Sequence, residues 1–195
     1  MALGLIEVRG LVAAVDVLDA MAKTAEVSMV DVKKDMGGGL VTIVMEGSVS
    51  AVTSSIEAGR SACISEVIAS HVFANPDPGM CMYLDNTYKN KPMCFGREAL
   101  GIIEVYGFVC AMIAADAALK AANVRLVGIE RTKGGKGIGL IVALKLAGLT
   151  DAVISAIEAG SRVAARKGEI IAVNVNALPD VGINKMICNT NLKSD

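Results

Sequence analysis

Apolar positions along this chain alternate, shift to three- and four-residue spacing, and alternate again, and the whole cycle occurs twice. Residues 3–9 form an apolar, β-branched run that reads as a strand, broken by Gly10. Val12, Val15, Leu18, Ala22 and Ala25 then recur at helical intervals, which predicts a helix over 12–26. Residues 27–34 return to strand, Asp35-Met36-Gly37-Gly38-Gly39 reads as a loop, and 40–46 as a further strand. Gly47-Ser48 reads as a turn and N-cap leading a second helix to residue 62. A last strand over 67–74 is stopped by Asn75-Pro76-Asp77-Pro78-Gly79. The predicted order is β-α-β-β-α-β.

The same order returns over 100–106, 109–122, 124–132, 139–146, 150–166 and 169–176. The return is also one of sequence. Residues 2–27 match 99–124 at 14 of 26 positions, an offset of 97. Ile56-Glu57-Ala58-Gly59 comes back as Ile157-Glu158-Ala159-Gly160 at an offset of 101, so the second copy carries four extra residues between the two matches. Most of them fall in the loop Lys133-Gly134-Gly135-Lys136-Gly137-Ile138. A repeat this long is a whole domain rather than a solenoid unit. The fold class predicted is α/β in the α+β, ferredoxin-like sense, with two tandem domains and a mainly antiparallel sheet in each. The boundaries expected are 1–80 for the first domain, 81–98 for a polar, irregular linker, and 99–195 for the second domain with a tail. That tail reads as loosely held after Pro179 except around residues 183–187.

Composition turns this pattern toward assembly. A domain of roughly 90 residues buries only about 60% of its unfolded surface and is marginal alone. Yet 53% of the chain is hydrophobic and 20% charged, an excess of apolar surface that predicts oligomerisation. The net charge of −1 leaves no electrostatic footprint for nucleic acid or membrane. With no Trp, three Phe and three Tyr, a stacking platform for single strands is disfavoured. No apolar run is long enough to span a bilayer, and Met1-Ala2-Leu3-Gly4 does not open a signal peptide. Five Cys without a short metal spacing point to a reducing, cytosolic setting.

Candidate chemistry is sparse. His71 is the only histidine and no motif pairs it with a Ser or Cys, so a nucleophilic triad has no support. Glu7 and Glu104 recur at one strand position, where the repetition favours a structural role over acid–base work. Cys63 and Cys110 fall within predicted helices as small core residues. Cys81 and Cys94 in the linker and Cys188 in the tail gather a metal only if the tail folds onto the linker, and the spacing is no zinc pattern by itself. The glycine loops match neither a Walker A nor a dinucleotide fingerprint, and neither loop opens a helix.

Several spaced segments resemble one family in order and in duplicate. Leu3-Gly4-Leu5-Ile6-Glu7-Val8 and Leu100-Gly101-Ile102-Ile103-Glu104-Val105 open the copies. Asp19-Ala20-Met21-Ala22-Lys23 and Asp116-Ala117-Ala118-Leu119-Lys120 follow, then Gly38-Gly39-Leu40-Val41-Thr42 and Gly47-Ser48-Val49. His71-Val72 with Pro76 completes a pattern that resembles the bacterial microcompartment (BMC) shell domain. Two copies in one chain resemble its unpermuted tandem, trimeric class, BMC-T. That resemblance implies a structural, non-enzymatic shell protein, with three chains closing into a pseudohexameric tile around a central pore for metabolites. It implies other shell proteins and encapsulated enzymes as partners, and a place in a microcompartment shell in the cytoplasm. It places Met36, Gly37, Gly38 and Gly39 with Lys133, Gly134, Gly135, Lys136 and Gly137 at the pore, and Lys23 and Lys120 at the tile edge. Some tandem relatives hold an iron–sulfur cluster through a pore-loop Cys; neither loop here has one, so no cofactor is expected. A small-anion-binding regulatory module and a redox or metal-carrying subunit are the alternatives.

Overall fold

The computed structural model describes residues 1–34, 37–90, 96–133 and 140–187. It divides into two compact units, the first ending at Pro76 and the second beginning at Asp77.

The first unit runs β1 (Ala2–Arg9), α1 (Leu11–Thr24), β2 (Val27–Lys33), β3 (Leu40–Gly47), α2 (Val49–Ala62) and β4 (Val67–Phe73). The sheet order is β2-β3-β1-β4 with every neighbour antiparallel. Side chains alternate across a strand, and Ile6 and Val8 of β1 with Ile43 and Met45 of β3 face Val17 and Met21 of α1 and Val52 and Ile56 of α2. Ser48 caps α2 as its sequence predicts, its hydroxyl accepting from the Ala51 N–H at 3.1 Å. Gly4 lets α2 approach the sheet, since a Cβ there would lie 2.6 Å from Val52 Cγ1.

The second unit repeats the plan with β5 (Ala99–Tyr106), α4 (Phe108–Ala121), β6 (Val124–Lys133), β7 (Leu140–Gly148), α5 (Thr150–Ala164) and β8 (Ile170–Asn176), in sheet order β6-β7-β5-β8. Both units have the β-α-β-β-α-β order and the antiparallel sheet expected from the sequence.

Between the two repeats the described residues form α3 (Pro78–Leu84) and a 3-10 turn (Thr87–Asn90), so the first part of the expected linker has regular structure. Asp77 caps α3 by accepting from the Gly79 N–H, and its own N–H donates to the Asp116 carboxylate on α4 at 2.8 Å. The Tyr83 hydroxyl donates to the Leu126 carbonyl of β6 at 3.1 Å, and its ring stacks on Tyr88 with centroids 4.9 Å apart.

The tail is held where the sequence reading excepted it, at residues 183–187, which include α6 (Asn184–Ile187). Ile183 and Ile187 pack on Leu100, Ile102, Val127 and Ala147, the sheet face turned away from α4 and α5. Beneath them lies Lys145, 2% exposed, whose ammonium pairs with Glu130 at 2.5 Å and donates to the Ile187 carbonyl at 3.2 Å. A four-residue helix has little stability of its own. Lys145→Ala is therefore expected to open the chain beyond Pro179 to limited proteolysis. Glu130 is one-third exposed and can rehydrate, so the loss of folding stability should stay near ~1–2 kcal/mol. No helix among the described residues is long and apolar enough to cross a membrane.

Candidate functional site

Three consecutive glycines link β2 to β3 in the first unit, and all three take positive φ: 91° at Gly37, 64° at Gly38 and 72° at Gly39. That region is open to glycine and costly for residues with a Cβ. The Leu40 N–H closes the turn on the Gly37 carbonyl at 3.1 Å, and the Gly10 N–H takes the Gly39 carbonyl at 2.8 Å. Arg9 adds a side-chain clasp: Nη1 donates to the Gly38 carbonyl at 3.0 Å while Nε meets Glu66 Oε2 at 3.1 Å. In the second unit the Gly107 N–H meets the Leu140 carbonyl at 2.8 Å, so its longer loop rejoins the sheet at the equivalent place. Met36, Gly134, Gly135, Lys136 and Gly137 lie outside the described residues, and Lys133 is placed as the last residue of β6.

The two candidate edge lysines occupy matching last turns. Lys23 pairs with Asp19 and Lys120 with Asp116, each at 2.6 Å one turn back. The aspartates were not singled out from the sequence, although the duplicated Asp-Ala-x-x-Lys spacing carries the signal.

A second feature comes from comparing equivalent positions. Leu11, Val12 and Val15 of α1 and Met29 of β2 are 60%, 71%, 59% and 55% exposed. Their repeats Phe108, Val109, Met112 and Leu126 are 0%, 1%, 0% and 6% exposed. In the first unit Leu11, Val15 and Met29 line an open, mainly apolar groove of about 440 Å³ with Ala14, Leu18 and Val32, and Asp31 and Lys34 also border it. The last strands show the reverse inequality. β4 is half-buried along most of its length, whereas β8 is exposed from its second residue on, with Ile171, Val173 and Val175 aligned on one face. The second unit carries α3 against α4 and β6, an element the first unit lacks.

His71 stands edge-on to Phe73 at 4.6 Å. Glu7 is buried on β1, where the Thr42 hydroxyl approaches it at 3.5 Å. Cys110 is buried in α4. Cys63, expected inside a helix, is instead the half-buried C-cap of α2, because the helix ends at Ala62. Cys94 and Cys188 lie outside the described residues. Cys81 sits on α3, where burial first, and then the charges of Asp85, Asp116 and Asp77, push its thiol above the ordinary range. The thiolate is the nucleophile and the metal ligand, so Cys81 is expected to alkylate with iodoacetamide at pH 8 several-fold more slowly than free cysteine. Among the described residues no group of three or more His, Cys, Asp or Glu is placed to hold a metal ion.

Comparison with known proteins agrees with this layout. The family model of the BMC domain matches twice, over residues 2–76 and 99–179. The carboxysome assembly protein CcmO of Synechococcus elongatus is 31% identical over 186 residues, a match that takes in 91% of this chain and 65% of that protein. The chain thus spans just under two thirds of that relative's length. The carboxysome shell protein CsoS1A of Hydrogenovibrio crunogenus is 44% identical over 78 residues, 38% of this chain and 80% of that one. A crystal structure of a microcompartments protein from Desulfitobacterium hafniense DCB superposes with a TM-score of 0.76 at 29% identity, covering 94% of this chain and 98% of the other. Duplicated sequence, duplicated fold and a family match over each copy lead to one conclusion: the chain belongs to the BMC domain family of bacterial microcompartment shell proteins, as a member carrying two such domains in tandem.

Proposed function

We propose that this chain is a structural tile of a microcompartment shell in the cytoplasm, three copies closing head to tail into a pseudohexameric ring around a central pore. The observation that carries this reading is a pair of open apolar faces, one in each unit. The open groove of α1 and β2 lies at one end of the repeat plan and the open face of β8 at the other. Two different, mutually repeated faces make a heterologous contact, which yields a ring when the rotation closes. Six alike domains share a full turn when three two-domain chains meet. Burial of the exposed Leu11, Val12, Val15, Ile171, Val173 and Val175 supplies the drive, at roughly 25 cal/mol per Å².

In such a ring the loops after β2 and β6 gather at the axis. Glycines there keep the opening free of side chains, and their amide groups attract anions and polar metabolites. Lys133 and Lys136, three of each per ring, add positive potential. Lys23 and Lys120 lie at the outer edge, where they meet neighbouring tiles and other shell proteins. The role is passage and enclosure, with no turnover of its own and no cofactor.

Light scattering on the purified chain tests the assembly. A mass of three 20.1 kDa chains is expected, and a clean monomer would remove the reading. Replacing both Lys23 and Lys120 by Ala is expected to leave that trimer mass unchanged. Side-by-side assembly into sheets, followed by electron microscopy, should then need several-fold higher concentration. Unaltered sheets in the double variant would remove the edge assignment.

A further inference from the structure

The clasp at the first glycine turn has a property that the turn alone lacks. The C=O and N–H of a trans peptide point in opposite directions. Holding the Gly38 carbonyl on Arg9 Nη1 at 3.0 Å therefore aims the N–H of Gly39 away from the guanidinium. Without that hold the peptide joining Gly38 and Gly39 can turn over at little steric cost, because neither flanking residue has a Cβ to bar either sign of φ. A flipped plane would offer a carbonyl where an amide had been and reverse the polarity of the turn's outer side.

Arg9 is well placed to prevent this. Its guanidinium carries donors in a rigid fork and stays charged. Glu66 orients that fork through Nε at 3.1 Å, and the Ser65 hydroxyl donates to the Arg9 carbonyl at 2.8 Å, so backbone and side chain are both tied to the bend between α2 and β4. Tyr106 occupies the matching position in the second unit, and a phenol has no such fork. An arginine at this position thus occurs in the first repeat alone.

We propose that Arg9 is a positioning residue that locks the peptide joining Gly38 and Gly39, so that the first unit's turn presents N–H rather than C=O to a solute. The consequence for solutes rests on the pore reading; the lock itself does not.

Hydrogen exchange on the full chain, read by mass spectrometry over residues 37–44, tests it with Arg9→Gln, Arg9→Lys and Glu66→Gln. Loss of a charge-assisted hydrogen bond should speed exchange at Leu40 by about five- to tenfold in Arg9→Gln. Arg9→Lys should recover at least about half of the lost protection, and Glu66→Gln should fall between it and Arg9→Gln. A high-resolution structure of Arg9→Gln should show a second orientation of the peptide. Exchange within about twofold of the unmodified chain in Arg9→Gln, together with one unflipped plane, would overturn the proposal. The pore reading fails by a different result: an assembled structure whose glycine turns lie away from the symmetry axis, while the exchange result stands.

Discussion

Val173→Asp combined with Val175→Asp is expected to leave the chain a folded monomer. Both side chains lie on one face of β8, 50% and 37% exposed, so neither is part of the fully buried core. Each Val→Asp change in a strand is expected to cost folding stability about 1 kcal/mol. In the proposed ring the same face is pressed against the α1 and β2 groove of the next chain. That groove is lined by Leu11, Val15, Leu18 and Met29, with Lys34 at its rim. A carboxylate buried among apolar side chains without a partner costs on the order of several kcal/mol. Two per contact should weaken association by at least about a thousandfold, since 1.4 kcal/mol is a factor of ten. Light scattering should then report one chain, while the circular dichroism spectrum stays close to that of the parent and melting remains cooperative. A trimer that survives both substitutions would mean that β8 is not an assembly face.

Gly160→Ala is expected to be the most damaging single methyl addition among the helical glycines. An added Cβ would lie 2.8 Å from the Ala114 carbonyl oxygen and 2.9 Å from Ile103 Cδ1. The first neighbour is backbone of α4 and cannot yield by changing rotamer, so α4 and α5 must move apart. Overpacking of this kind costs about 1–3 kcal/mol, more than the gain of about 1 kcal/mol for Ala over Gly in a helix. The repeat position is an internal control. At Gly59 the new Cβ would meet Met21 Cγ at 2.7 Å, Met21 Sδ at 2.9 Å and Val17 Cγ1 at 3.1 Å, side-chain atoms rather than backbone. Gly59→Ala should therefore be less destabilised than Gly160→Ala in chemical denaturation. Equal midpoints for the two would show that α4 and α5 are not held at this contact.

The alternation and helical spacing of apolar residues placed both copies of the six-element plan, and Ser48 marked a helix start by the hydrogen bond it makes. What stayed hidden follows from competing signals. Asn75-Pro76-Asp77-Pro78-Gly79 reads as a stop, yet Asp77 is an N-cap and Pro78 a first-turn proline, so the same residues end one unit and begin α3. Seven residues give too few periods for Met80, Tyr83 and Leu84 to stand out as a buried face. Leu144-Lys145-Leu146 reads as a strand with an outward lysine, and burial of Lys145 depends on α6, which lies some forty residues later in sequence. At the site, the glycines and the paired lysines were legible from the duplication. The Arg9 clasp was not, because it joins residues 9, 38 and 66 through the fold alone. The unequal burial of α1 and α4 had a trace in the sequence: Asp16 interrupts the apolar run of the first helix, where Ile113 continues that of the second.

An electron-microscopy structure of the assembled protein tests the central claim most directly. Three chains are expected, with Leu11, Val12 and Val15 of each seated against Ile171, Val173 and Val175 of the next, and Gly37, Gly38 and Gly39 facing the threefold axis. A particle of any other stoichiometry, or a trimer in which the α1 groove still opens to solvent, would contradict it.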